Sequence, residues 1–226
     1  MNFLGFLSKP LGWLLETLYG FIGNYGISII ILTVVIKFAL YPSYKKQILS
    51  STKMMKLQPE IKRIQAKYPN DKMKQQQEMQ KFYQEHDISS MGGVGCVPML
   101  IQMIVIMGLF SLLRQPMSYM SETMITAVHE SFLWMPDLGQ PDSWIMPISA
   151  AALTFVSSSI SQMGSQNPDQ GKGVQMVMRI FLPLMILWLA RSYPSGLAVY
   201  WLVGQVVQIG FNLRFNKLKK AEMAHK

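Results

Sequence analysis

A run of 20 residues, GNYGISIIILTVVIKFALYP at 23–42, is almost unbroken in its apolar character and limits the possible folds of this chain most. At 1.5 Å per residue, such a run crosses the ~30 Å hydrocarbon core of a bilayer as one helix. Lys37 interrupts it. A lysine deep in a span costs on the order of 2.5–3.5 kcal/mol on insertion scales, so it is expected to face protein or water rather than lipid. The competing reading is snorkelling, because Lys37 lies near the end of the run at Tyr41 and its stem can reach the surface.

The rest of the chain has the same character. Of 226 residues, 50% are hydrophobic, yet the formal charge is +9. The apolar residues are gathered into blocks of roughly 17–20, a membrane pattern, rather than spread in short periodic runs. Cys96 is the single cysteine, which excludes an intramolecular disulfide framework and a cysteine metal cluster. No haem or zinc spacing occurs, so no metal and no cofactor are expected.

Residues 1–22 carry Leu11, Leu14, Leu15, Leu18, Phe21 and Ile22 at helical spacing, with Trp13 and Tyr19 beside them. This predicts an amphipathic helix lying in the interface, with a short membrane-buried helix as the alternative. The segment lacks a basic start and a small-residue cleavage site, so processing is not expected. After the first span, 43–96 is hydrophilic and strongly basic. Pro59 fits the first turn of a helix, 69–71 reads as a turn, and a second helix is expected from Lys72 to about His86. Lys74/Glu78 and Lys81/Glu85 stand at supportive i,i+4 spacing there. These features predict a helical hairpin outside the membrane.

Further spans are expected at 97–115, 144–163, 174–190 and 195–213, with a loop at 116–143, a short loop at 164–173 and a basic tail at 214–226. The 116–143 loop holds Glu122, Glu130, Asp137 and Asp142 and no basic residue. Basic residues crowd the hairpin, the Lys172 loop and the tail. The positive-inside rule then places hairpin and tail in the cytoplasm and the N-terminus outside. Every loop satisfies this rule except the turn with the lone Arg191. The fold expected is an all-α membrane protein with five transmembrane helices, N-out and C-in, with a cytoplasmic helical hairpin and an N-terminal amphipathic helix. The basic surplus is first a topology signal, and DNA is not an expected partner.

In this topology the polar residues inside the spans gather in the cytoplasmic half. Thr33 and Lys37 share a face of the first span, and Gln102 is close to the start of the second. Thr154, Ser157, Ser158 and Ser161 make one face of the third. Trp201, Gln205, Gln208 and Asn212 form a stripe on the fifth. Polar groups in lipid need partners or water, so a hollow open to the cytoplasm and stopping half-way is expected. Helix packing is the plainer reading for any one serine, and also for Gly204 and Gly210. A half-crossing argues against a conducting pore and suits the handling of a polar segment part of the way. All three histidines lie outside the spans, no span holds Asp or Glu, and no phosphate-binding glycine pattern occurs. An enzyme is therefore not expected. The rival class is a small transporter or lipid scramblase, although five unlike spans lack the paired repeats common in transporters.

At this point the residues resemble a known family, the YidC-type membrane protein insertases, with mitochondrial and chloroplast relatives. The resemblance rests on PLGWLLETLYGFIGNYGISIIILTVVIKFALYP at 10–42, LQPEIKRIQAKY at 57–68, GCVPMLIQM at 95–103, FLWMPDL at 132–138 and PSGLAVYW at 194–201. It implies a five-span core with a cytoplasm-facing hydrophilic groove that inserts new membrane proteins, alone or beside the Sec translocon. Tyr200 and Trp201 join the groove set through the last of these motifs. The family's groove arginine falls at Lys37, its span-five asparagine at Gln205, a proline at Met103 and a third-span glutamine at Ser157 or Ser158. Lysine lacks the guanidinium fork, so a bidentate clamp on a carboxylate is not expected. The partners implied are nascent membrane proteins, the ribosome, the Sec translocon and the lipid bilayer of a bacterial plasma membrane. Lys62, Arg63, Lys67, Arg214, Lys217, Lys219 and Lys220 are the expected ribosome or nascent-chain contacts. The methionines, among them Met54, Met55, Met99, Met103 and Met107, suit varied client helices or simply face lipid.

Overall fold

A computed structural model describes residues 3–86, 93–114, 121–163 and 177–224. At 3–7, 48, 50, 51, 54, 55, 93–101, 113, 114, 162, 163, 177, 178 and 219–224 only the backbone is described. The expected loop at 164–173 and the side chains of Cys96, Met54, Met55, Met99, Lys219 and Lys220 therefore lie outside the described residues. Within them the chain is helical, with no strand and one isolated bridge, Phe132 to Met135.

Helix α1 (Phe3–Ile22) contains Pro10 and ends at Gly23, whose φ of +67° suits a glycine after a helix. Asn24 then caps α2 (Tyr25–Ala39), its side-chain oxygen accepting from the Ile27 N–H at 3.0 Å. Helix α1 is not a detached surface element. Leu15 is fully buried, and the buried Ser8 hydroxyl donates to the Gly108 carbonyl of α5 (Gly93–Arg114) at 3.0 Å. Trp13 and Phe21 stay on the exposed side.

At Leu40 the chain bends by 46° and continues as α3 (Tyr41–Lys67). Pro42 stands in the first turn of α3, where its missing N–H removes no helical bond. This corrects the expectation for Pro59, which lies inside α3 instead of opening a helix. The site is exposed, so water can replace the lost donor. Helix α4 (Lys72–Glu85) completes the hairpin, with the Asp71 carboxylate accepting from the Lys74 N–H at 3.0 Å. Its ion pairs also differ from those expected. Lys74 faces Asp71 at 3.7 Å and Lys81 faces Glu78 at 3.0 Å. In both, the acid precedes the lysine, the order that suits the helix dipole.

A short helix α6 (Glu122–Ala127) and a packed loop lead to α7 (Ile145–Met163). A π-helical turn, Val177–Phe181, precedes α8 (Leu182–Ser192). The turn comes just before Pro183, which has no N–H to continue the i→i−4 ladder. Helix α9 (Ser195–Ala224) runs without a break into the basic tail. It lies between α2 and α7, α8 packs on α7, and α1 packs on α2 and α5. Among the described residues, Ser195–Leu218 alone is long and apolar enough to cross a membrane by itself. Tyr25–Ala39 and Tyr41–Gln47 qualify together as a bent pair, and Gln102–Leu112 and Ile145–Ser161 are shorter apolar helices.

Two hydrophobic clusters sit at opposite ends of the bundle. At the loop end, Leu15, Tyr25, Leu32, Leu112, Met124, Val128, Met135, Leu138 and Val199 belong to one core. At the hairpin end, Tyr44, Phe211 and Phe215 form the second, with Leu40, Tyr41 and Val207 against it. Lys37 lies between them in sequence and in space.

Candidate functional site

The site begins with a buried charge. Lys37 is only 5% exposed, in the last turn of α2. Its ammonium donates to the Gln102 Oε1 of α5 at 3.1 Å, and the Gln102 amide donates to the Tyr200 hydroxyl of α9 at 3.0 Å. The same ammonium lies 5.6 Å from the centre of the Tyr44 ring on α3, within cation–π range. Four helices thus meet at one lysine. Gly204 makes the room: a Cβ there would come 3.2 Å from Lys37 Cε and 3.8 Å from Thr33 Cγ2. Thr33 is buried one turn before Lys37 and its hydroxyl donates to the Ile29 carbonyl of its own helix at 2.7 Å.

An ammonium has three N–H donors. Gln102 takes one and Tyr44 offers a ring face. Among the described residues no carboxylate stands within ion-pair distance of Lys37, since the ion pairs there involve Asp71, Glu60, Glu78 and Asp137. A buried charge without a counter-ion is costly unless something else meets it.

The remaining expected groove residues do not all converge on Lys37. Several make a seam between α7 and α9. Trp201 donates from its indole N–H to the Thr154 hydroxyl at 2.9 Å, and Thr154 donates on to the Ala150 carbonyl at 2.7 Å. Asn212 donates to the Ser157 carbonyl at 3.4 Å, and Gln208 donates to Asn212 at 3.1 Å. Ser158 is half-buried and donates to the Phe155 carbonyl of its own helix at 2.9 Å. Ser161 is exposed, and Gln205, half-buried, makes no hydrogen bond among the described residues. Among the described residues the expected groove residues thus fall into two hydrogen-bonded sets, the four-helix junction at Lys37 and the seam between α7 and α9.

Sequence reasoning missed several members. Asn216 extends the seam by donating to the Ile160 carbonyl at 3.2 Å, and the Ser159 hydroxyl is buried without a partner among the described residues. The aromatic set beneath Lys37 was also missed, although its spacing is readable: Tyr41 and Tyr44 at i,i+3, Phe211 and Phe215 at i,i+4. The Tyr41 and Phe215 rings are stacked with centroids 5.5 Å apart, and Tyr41 meets Phe211 edge-on at 5.0 Å. Of the expected ribosome or nascent-chain contacts, Lys62, Arg63, Lys67, Arg214 and Lys217 are on the surface. Arg214 lies 6.0 Å from the Tyr41 ring, which joins the tail to the aromatic set.

The opposite end is tied by Glu130. One carboxylate oxygen accepts from the Tyr25 N–H at 2.9 Å, at the start of α2, and the other accepts from the Tyr19 hydroxyl at the end of α1. Glu130 raises the Tyr19 phenol above its ordinary value by accepting its proton, with burial adding to the shift. The loop's other end is held by the Ser195 and Gly196 N–H groups of α9, which donate to the Gln140 and Leu138 carbonyls at 2.9 Å each.

A sequence profile of the 60Kd inner membrane protein family matches residues 17–222. The chain belongs to the YidC-type membrane protein insertase family. It is 38% identical to Membrane protein insertase YidC 2 of Listeria innocua, over 92% of this chain and 69% of that one. With Membrane protein insertase YidC of Fusobacterium nucleatum it shares 35% identity over 90% of this chain and 91% of the relative. The crystal structure of an active YidC insertase with its first transmembrane domain resolved superposes with a TM-score of 0.64, at 27% identity. That match covers 93% of this chain and 46% of the crystal chain, so this chain spans about half the length of that protein.

Proposed function

We propose that this chain is a membrane protein insertase of a bacterial plasma membrane, and that Lys37 is the working charge of its substrate groove. The observation that carries the reading is a buried ammonium with one protein acceptor and no carboxylate partner among the described residues. A client segment bringing a carboxylate or backbone carbonyls supplies what the site lacks. The membership of the family and the names of the relatives support the activity.

In this reading the chain crosses the bilayer five times, through α2, α5, α7, the π turn with α8, and α9. The charge asymmetry places the 121–144 end outside and the hairpin and tail in the cytoplasm. A short polar segment of the client passes Tyr44 and reaches Lys37, while the client's apolar span moves into lipid beside the groove. Partition of about 20 apolar residues, each favourable by a few tenths of a kcal/mol, drives the step without a nucleotide. Thr33, Gln102, Tyr200 and the space at Gly204 position the lysine. Thr154 with Trp201 and the Ser157 carbonyl with Asn212 hold α7 against α9, Gln208 steadies Asn212, and Gln205 meets client or water beside Ser158 and Ser161. Lys62, Arg63, Lys67, Arg214 and Lys217 offer the ribosome a basic surface, and the Sec translocon is a further partner.

The test is reconstitution of the purified chain into liposomes with a single-span client made in vitro. Protease protection of the client's short outer segment, well above that of empty liposomes and without added nucleotide hydrolysis, is the expected result. Protection equal to empty liposomes contradicts insertase activity.

A further inference from the structure

Two arginines of the α7–α8 hairpin belong neither to the Lys37 junction nor to the α7–α9 seam. Arg191, at the loop end of α8, has its guanidinium carbon 4.1 Å from the centre of the Trp144 ring at the start of α7. Arg179, in the π turn at the other end, lies 5.6 Å from the Phe155 ring. Both arginines are exposed, and neither has a carboxylate at ion-pair distance among the described residues. Asp142, two positions before Trp144, instead accepts from the Met146 N–H of α7 at 2.7 Å. With Arg114 at the end of α5, Arg191 also stands on the side that the charge asymmetry makes the outer one, so the positive-inside rule does not account for it.

An exposed apolar belt separates the two pairs, made of Ile145 and Ile148 on α7, Phe181 of the π turn, and Leu184 and Trp188 on α8. The arginines are 12 positions apart (191 − 179). At helical rise that is roughly 18 Å, less than the ~30 Å hydrocarbon core. In a hairpin that crosses the membrane, the two side chains have that difference to bridge to reach the polar boundary on each side. A guanidinium stacked on a ring still presents its N–H donors at its edge, in the fork that fits a phosphate.

The geometry points to a pair of phospholipid sites: Arg191 on Trp144 binds the phosphate of an outer-leaflet lipid, and Arg179 by Phe155 binds one in the inner leaflet. Acyl chains lie along the belt between them, which a free phosphate does not use. The inference rests on the five-span reading, because α7 and α8 must cross the membrane.

The full chain in detergent micelles is titrated with phosphatidylglycerol, with diacylglycerol of the same acyl chains and with inorganic phosphate. Bound lipid is counted by native mass spectrometry. The expected result is two phosphatidylglycerols retained in preference to diacylglycerol. Arg191→Gln weakens one of them about fivefold, the effect of one basic residue at an anionic surface, and Arg179→Gln weakens the other. Trp144→Leu keeps the charge and weakens the Arg191 site less. Equal retention by the wild type and both glutamine variants overturns the inference, as does displacement of the lipid by inorganic phosphate. Sidedness is read in liposomes from His129→Cys and Lys217→Cys, each in a Cys96→Ser background. Labelling from opposite faces with unchanged lipid retention removes the lipid sites and keeps the five-span reading. Labelling from one face removes both.

Discussion

The two ends of the bundle solve opposite problems. At the loop end the core is closed and apolar, and Glu130 ties α1, α2 and the loop together at one carboxylate. At the hairpin end the sealed apolar set shrinks to Tyr44, Phe211 and Phe215, and just above it sits a lysine without a counter-ion among the described residues. A charge in the first region would cost several kcal/mol with nothing to offset it. In the second, the junction of four helices supplies an amide, a hydroxyl and a ring. The difference teaches that stability is concentrated at one end so that the other can carry an incompletely satisfied group.

That division has measurable consequences. The largest concerns Leu112, which is fully buried in the loop-end core. Leu112→Ala should cost about 2–5 kcal/mol, read from denaturant unfolding in micelles. Next come two glycines compared directly. A Cβ at Gly26 would sit 2.3 Å from the Phe132 ring, whereas one at Gly204 meets the flexible end of Lys37 at 3.2 Å. Gly26→Ala should destabilise by about 1–3 kcal/mol and open the loop to protease. Gly204→Ala should leave the unfolding midpoint close to wild type while lowering client insertion, because the lysine stem must move. Equal destabilisation by the two changes would erase the contrast between the ends.

Glu130→Gln should cost about 1 kcal/mol, with faster hydrogen exchange at the Tyr25 amide, since a neutral amide accepts more weakly there. The Tyr19 to Glu130 bond also carries a pH dependence. The tyrosine is raised, so its contribution is complete below the ordinary tyrosine value of about 10 and is lost as pH rises through the raised one. Stability of the wild type should therefore fall more steeply than that of Glu130→Gln in alkaline titration. The smallest effect belongs to the seam: Trp201→Phe should cost about 0.5–1.5 kcal/mol, and a double-mutant cycle with Thr154→Val should show the two to be coupled.

Much of the helical layout was legible in the residues because long apolar runs and caps announce themselves. Gly23 and Asn24 mark the α1–α2 break, and Asp71 marks the start of α4. What was not legible depends on relations between distant segments. Pro59 reads as a helix start by local preference, yet α3 absorbs it because that stretch is exposed. The π turn before Pro183 and the bend at Leu40 depend on how neighbouring helices pack. Lys37 and Gln102 were readable as polar residues at matching depth, but the link through Tyr200 and the space at Gly204 belong to the fold. The serines of α7 suggested a shared hollow. Ser158 instead donates to the Phe155 carbonyl of its own helix, and the Ser157 backbone carbonyl accepts from Asn212, which takes up part of that face.

The most direct measurement is a Lys37 series in cells depleted of their own insertase, scoring insertion of a short client with an acidic outer segment alongside the amount of folded protein. Lys37→Arg should support insertion, whereas Lys37→Gln and Lys37→Glu should abolish it with the protein present at normal levels. If Lys37→Gln inserts the client as well as the wild type, the buried charge is not what the client meets.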